Sequence, residues 1–482
     1  MSESRRPNIL FLMNDQVGAH VLRPDCPGRT PNLDRLAARG IRFDRAYTPA
    51  PTCTPARGSL MTGLQPYNHG ATMVHSPSEG TGEWGGTPPD EAALRPDKRH
   101  WAQQLVRDGY VTGYFGKWHI DYWHNVNRYG WIVNGLGIKQ LEPLTQLDIA
   151  FKVPHPREGY GPMSGGQIVK ESAEIRTDGL KAVEAERFLD WVMPSNKPWA
   201  CMLSFAGPHS AKLCQKEIFD SYSLDEMDLP PSLNHDLEDR PELFRLAQES
   251  WRNMTERDHR RIRAAYYASI EEQDRIFGRI IDKIEAAGEL ENTIIVFTSD
   301  HGEALGCHGV YTKLYMTHEA AYNIPLIIAG PGIHRKGEVS QARVGLHDLA
   351  PTLLDLTGAA PLPAPIDARS MKPLLETAAE DSEWTTGYGG ASGGAYLYTT
   401  RVFWRGDWKL CFNTFGKSEL YHLSEDPHEM TNRIDDPECQ EILVEMAKGL
   451  YAEAKRTDDK TFMAGGAPLM RILPVGAGIL NN

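Results

Sequence analysis

Two stretches of this chain are apolar almost without interruption: Asn8-Ile9-Leu10-Phe11-Leu12-Met13 and, far downstream, Thr293-Ile294-Ile295-Val296-Phe297-Thr298. A strand with one wet face alternates apolar and polar side chains. A run without alternation reads as a parallel strand buried on both faces, which is the mark of an α/β fold. Each run ends abruptly in polar residues, Asn14-Asp15-Gln16 and Ser299-Asp300-His301-Gly302-Glu303. Ligands of α/β sheets collect at the carboxyl ends of strands, so Asp15, Asp300 and His301 are expected to converge there from distant parts of the chain. Further strands are expected at 41–47, 111–115, 199–205 and 323–332, and helices at 30–39, 101–107, 179–191 and 260–287. In the last helix Ile262, Tyr266, Ile270, Phe277, Ile281 and Ile284 recur at helical spacing. Its charged residues read as a solvated face.

Between these strands lies Thr52-Cys53-Thr54-Pro55-Ala56-Arg57. Pro55 suits the first turn of a helix, where its missing N–H costs nothing. Cys53 then sits at a helix N-terminus, where free N–H groups and the macrodipole favour an anion. Arg57, one turn on, can present a planar fork to the same anion, while Leu60 and Met61 anchor the helix in a core. The residues read as a nucleophile in an oxyanion cradle; the bland alternative is a buried, inert cysteine beside a surface arginine. Lys117 and His119, two apart after the 111–115 strand, can point the same way into a cleft. His209 follows the 199–205 strand, and Lys313 follows Gly306-Cys307-His308-Gly309. Residues 65–100 are rich in Gly, Pro, Ser and Thr and read as a long loop, with His69, His75 and Trp84 as side chains that could face a substrate.

The formal net charge of −13 argues against non-specific nucleic-acid binding. It also requires any anionic substrate to be met by a local basic pocket. Seven cysteines, an odd number without a CxxC spacing, argue against a disulfide framework or a zinc knuckle. The run from Ile9 to Met13 is too short for a signal-peptide core, and no apolar stretch is long enough to span a bilayer. A cytoplasmic location without a membrane partner is the expectation.

Taken in order, Cys53-x-Pro55-Ala56-Arg57 with Met61-Thr62-Gly63, then Gly116-Lys117-Trp118-His119, Pro208-His209 and Ser299-Asp300-His301-Gly302-Glu303, resemble the signature stretches of the sulfatase family, across nearly the whole chain. The family carries an Asp-Asp pair where this chain has Asp15-Gln16, and the single acid resembles the phosphonate monoester hydrolase and choline sulfatase branches. The resemblance implies an alkaline-phosphatase-like α/β fold. A large mixed, mostly parallel sheet sandwiched by helices would occupy residues 1–375, a smaller C-terminal antiparallel-sheet subdomain 376–456 and an apolar tail 457–482. It further implies that Cys53 is converted to formylglycine by a formylglycine-generating enzyme. Asp15, Gln16, Asp300 and His301 would ligate one divalent metal, Ca2+ ahead of Mn2+ or Mg2+, as a mainly oxygen donor set also suggests. Arg57, Lys117 and Lys313 would hold the substrate's charge, and His119 or His209 would protonate the leaving oxygen.

The expected activity is hydrolysis of a small-molecule aryl or alkyl sulfate ester to alcohol or phenol plus sulfate, through a covalent sulfo-enzyme hemiacetal. The alternative on the same site is a phosphonate monoester or phosphodiester hydrolase. The alternative from another class is a catalytically silent binding protein with Cys53 left as a thiol. The apolar tail is expected either to pack on its own chain or to lie across a partner in a homo-oligomer, a dimer or tetramer.

Overall fold

The two uninterrupted apolar runs become neighbouring central strands. The structure, a computed structural model, describes residues 5–74, 93–137, 140, 142–153, 163–313, 317–392 and 398–475. Its large sheet holds β1 (Asn8–Asn14), β2 (Gly40–Phe43), β3 (Val111–Gly116), β4 (Val133–Asn134), β5 (Trp199–Ser204), β6 (Thr293–Ser299), β7 (Leu326–Ala329) and β8 (Glu338–Ser340), in the order β8-β2-β7-β6-β1-β5-β3-β4. β1 pairs in parallel with both β5 and β6. Within this sheet only β7 runs against its neighbours, β6 and β2. The sheet is therefore mixed and mostly parallel.

Helices cover both faces. Leu10 and Leu12 of β1 pack with Leu33 and Leu36 of α1 (Pro31–Arg39), and with Phe188 and Leu189 of the 177–192 helix. On the other face Ile9, Phe11 and Met13 meet Leu60 and Met61 of α2 (Cys53–Thr62), and Trp101 and Leu105 of α3 (Trp101–Arg107). Both faces of β1 are dry, which is why its sequence shows no alternation. Each such buried side chain contributes about 1.5–3 kcal/mol. α2 ends at Gly63, whose φ of 69° suits glycine and whose N–H closes on Ser59 O. The expected strand over 41–47 is broken: β2 ends at Phe43, and Ala46–Tyr47 pairs in a separate small sheet.

The 177–192 helix is α4 (Thr177–Val192), and the long helix is α5 (Glu256–Ala286). Its charged side is not the solvated face expected. Glu271, Glu272, Gln273 and Asp274 are all buried. Glu272 pairs with Arg176, and Gln273 takes the side chain of Asn14 at the end of β1. Asp274 accepts the backbone N–H groups of Asn32 and Leu33 at 3.1 and 2.9 Å. Thr30, the N-cap of α1, makes no side-chain cap of its own, so Asp274 caps α1 from across the sheet face. Asp274→Ala should lower stability by about 2 kcal/mol, read as a drop in the urea midpoint by circular dichroism. An unchanged midpoint would show that this remote cap is dispensable.

Beyond α6 (Leu349–Thr357), β9 (Thr386–Ser392), β10 (Thr399–Arg405), β11 (Trp408–Asn413) and β12 (Glu419–His422) form an antiparallel meander. Phe403, Leu410 and Phe412 on it pack with Leu443, Met446 and Leu450 of α7 (Gln440–Arg456). The tail's Phe462, Met470 and Leu473 join that same cluster, so the described part of the tail packs on its own chain. Among the described residues no helix is long and apolar enough to cross a membrane.

Candidate active site

Register places the site. Asn14 pairs with Ser299, so Asp15 and Asp300 leave β1 and β6 side by side at the carboxyl edge of the sheet. Ser204 pairs with Gly116, which brings Lys117 out at the same edge. Gly116 has a φ of 120°, and a Cβ there would lie 1.8 Å from Ser204 O. Only glycine lets the chain turn there and the Lys117 N–H donate to that carbonyl at 2.7 Å. α2 begins at Cys53 and directs its N-terminus at the cluster.

The buried Cys53 sulfur lies 3.3 Å from His301 Nε2 and 3.7 Å from Asp15 Oδ1, and accepts from Lys117 Nζ at 3.5 Å. Lys117 also donates to Asp15 Oδ2 at 2.6 Å. Arg57 is buried behind the two aspartates. Its Nε donates to Asp300 at 2.8 Å and one terminal nitrogen to Asp15 at 3.0 Å. The other terminal nitrogen donates to Lys117 O and Ser204 Oγ. The Arg57 fork, expected to face the substrate anion, is thus directed at the carboxylates. The nearness of two buried negative groups is the physical reason. His301 donates from Nδ1 to Gly302 O at 2.9 Å, which leaves the Nε2 lone pair facing the cluster.

Burial would push the Cys53 thiol up, but Lys117, Lys313 and His301 together hold it well below the usual range. Burial and the sulfur also work against ionised Asp15; Lys117, His209 and Arg57 overcome both and hold it far below the usual carboxylate range. Asp300, buried beside Asp15, is pushed up. Burial and Lys313 hold the His209 imidazole below its ordinary value.

His209 Nε2 lies 4.0 Å from Asp15 Oδ1, and His119 follows Lys117 beyond the end of β3 at the same edge. His209 Nε2 also lies 2.7 Å from Lys313 Nζ. Asp15, His301 and Lys117 therefore meet the Cys53 sulfur directly, Arg57 through Asp15, Asp300 through His301 and His209 through Asp15, and Lys313 stands behind His209. Gln16 has its amide engaged by two neighbours. Its Oε1 accepts from Lys313 at 2.7 Å and its Nε2 donates to Glu303. Glu303 is buried and also holds Lys212 and the backbone N–H groups of Leu305 and Thr312. Sequence reasoning gave no part to Glu303, Lys212 or Ser204. Glu303 was visible inside the 299–303 motif; the other two carry no local signal. His69, which could have faced a substrate, is fully buried against α2, and His75 and Trp84 lie outside the described residues.

One oxygen each of Asp15 and Asp300, His301 Nε2 and the Cys53 sulfur lie within 4.8 Å of one another. Two carboxylates and an imidazole with a free lone pair fit a hard divalent cation, and the surrounding lysines fit an oxyanion beside it. Such an arrangement can set a helix-borne sulfur against an oxyanion. Fold and site are those of an α/β enzyme with its polar cluster at the carboxyl edge of the sheet.

The sulfatase family profile matches residues 7–359, and the chain belongs to the sulfatase family of sulfuric ester hydrolases. The profile for the C-terminal part of N-sulphoglucosamine sulphohydrolase matches residues 306–456. A choline-sulfatase of Rhizobium meliloti is 28% identical over 467 residues, 90% of this chain and 83% of that protein. An arylsulfatase of Clostridium perfringens is 27% identical over 500 residues, covering 94% and 95%. The phosphonate monoester hydrolase of Agrobacterium radiobacter shares the fold with a TM-score of 0.75 at 23% identity, over 94% of this chain and 96% of that one.

Proposed function

We propose that this chain hydrolyses small-molecule aryl or alkyl sulfate esters, with Cys53 matured to formylglycine by a formylglycine-generating enzyme. Asp15, Asp300 and His301 would hold one divalent cation, Ca2+ ahead of Mn2+ or Mg2+. The observation that carries the reading is the meeting of these three side chains with Lys117 around the Cys53 sulfur at the head of α2. When present, the hydrated aldehyde supplies a hydroxyl nucleophile and the cation supplies charge stabilisation. The chain's own groups do the rest. Arg57 fixes Asp15 and Asp300 against each other. Lys117 and Lys313 hold the oxyanion; at an effective dielectric near 20, one cation about 4 Å away is worth roughly 4 kcal/mol before desolvation. His119 and His209 are the two imidazoles placed to protonate the leaving oxygen.

The second reading, a phosphonate monoester or phosphodiester hydrolase, is favoured by the single acid of Asp15-Gln16. Turnover of a nitrophenyl sulfate and of an aryl phosphonate monoester by the same preparation separates the two. The sulfate should be faster by about tenfold or more; the reverse order would install the phosphonate reading. Intact mass of the peptide containing Cys53 should show the lightening that accompanies conversion of thiol to aldehyde. A thiol mass in fully active protein would remove the formylglycine.

We also propose a cytoplasmic location, supported by seven free cysteines, and a homo-oligomer. Leu469 and Ile472 on the tail are 41% and 62% exposed and offer an apolar surface to a second copy. A monomeric mass by light scattering would remove the oligomer.

A further inference from the structure

Away from Cys53, a cavity of about 290 Å3 opens between the α/β body and the antiparallel meander, beyond the C-terminal end of α2. Its lining shares no residue with the cluster round Cys53, so it is a separate cavity.

Its wall carries buried polar atoms without a hydrogen-bond partner among the described residues. Arg343 is 3% exposed; one terminal nitrogen donates to Gly406 O at 2.8 Å, but Nε and the other terminal nitrogen have no hydrogen-bond partner among the described residues. Gln65 is 2% exposed; its Nε2 donates to Tyr388 O, and its Oε1 has no partner among the described residues. At the mouth, Arg369 lies 3.5 Å over the Trp384 ring. Asp348 and Glu453 are the acids that act on its charge. Arg343 likewise lies 4.7 Å over Tyr47. Both guanidiniums thus lie over aromatic rings, which leaves their N–H groups available to another partner.

The acids lining the cavity are already engaged. Asp348 accepts the backbone N–H groups of Gly345 and Arg369. Asp367 accepts from Gln65 N and the Asn68 side chain, and Glu453 pairs with Arg456. Buried donors left open are costly, and a buried guanidinium edge is the group best shaped to take an oxyanion through two bonds.

We infer that this cavity binds a small oxyanion bearing a hydroxyl, of which hydrogen phosphate is the simplest. Its oxygens take the open donors of Arg343 and Arg369, and its O–H donates to Gln65 Oε1. The inference is independent of the reading of the Cys53 site. The volume also admits a phosphate monoester with a small organic part.

Equilibrium dialysis of the full chain against labelled inorganic phosphate tests it. Arg369→Gln and Arg343→Gln should each bind one equivalent fewer than the parent protein, or bind it about tenfold or more weakly. Turnover at the Cys53 site should be unchanged in Arg369→Gln. Equal binding by all three proteins overturns the inference. If Arg343→Gln fails to fold, Arg369→Gln at the exposed mouth decides alone. Crystals grown without oxyanions and soaked in inorganic phosphate should show density touching Arg343 and Arg369. Density confined to the surroundings of Cys53 would also overturn it.

Discussion

Cys53→Ala is expected to cut kcat/KM for an aryl sulfate by about five orders of magnitude or more, with a far smaller change in affinity for inorganic sulfate. The substitution removes the one side chain from which a nucleophile can come. It leaves Lys117 and Lys313 in place, the cations proposed to attract the oxyanion. What remains is catalysis by positioning and charge, which keeps a small residue of rate over water. The loss should not be a folding effect. Cys53 is small, and α2 stays anchored through Leu60, Met61 and the capped end at Gly63. An unchanged urea midpoint beside abolished turnover is the expected pair of results. Undiminished turnover in highly purified Cys53→Ala protein would end the account of this site.

The parts of this structure that were legible in the sequence are those whose signal is local. The uninterrupted apolar runs of β1 and β6 announced burial on both faces, and the acids directly after them announced the edge where a site would form. Pro55, suited to the first turn of a helix, placed Cys53 at a helix head. What stayed hidden depends on partners far away in the chain. Glu272 and Asp274 look like any charged side of an amphipathic helix until Arg176 and the open N–H groups of α1 are set against them. A helical period tells which side chains face the core; it does not tell whether a charge will find a buried partner. Gln16 is a further case: the partners of its amide, Glu303 on one side and Lys313 on the other, lie far away in the chain. Arg57 was expected to face a substrate anion, and the anions it meets are Asp15 and Asp300. The reversed direction of β7 has no sequence signal, because an apolar strand reads alike both ways.

Several imidazoles are locked neutral inside this protein, and the stability each contributes falls with acid. The buried Glu272, Glu429 and Asp274, pushed up by burial to about 7, 7 and 6, act in the opposite sense over the same range, so the histidine part is read by comparing variants. His69 is fully buried. Its Nδ1 accepts the N–H of Ala71 at 3.2 Å, so its proton sits on Nε2, 3.1 Å from both Pro55 O and Ser59 Oγ. A second proton would have to displace the Ala71 N–H, and burial holds the ring down to about 3. His308 is also buried, with its Nδ1 3.0 Å from His235 Nδ1 and its ring 4.0 Å from that of His318. Burial, with Arg240 nearby, holds it down to about 3 as well. Each group binds its proton less tightly in the folded state than in the unfolded chain, where the ordinary value is about 6.5. Its contribution to stability is therefore complete above that value and is lost as pH falls from about 6.5 toward 3. At pH 5 each should have lost about 2 kcal/mol, or about 4 kcal/mol together. His100 and His318, buried and held well below their ordinary value, add to the same trend. Urea unfolding at pH 7.5, 6.0 and 5.0 measures it, and His69→Gln should reduce the slope against pH by about one proton. A pH slope of stability that is the same in His69→Gln as in the parent protein would mean that this ring finds room for a second proton.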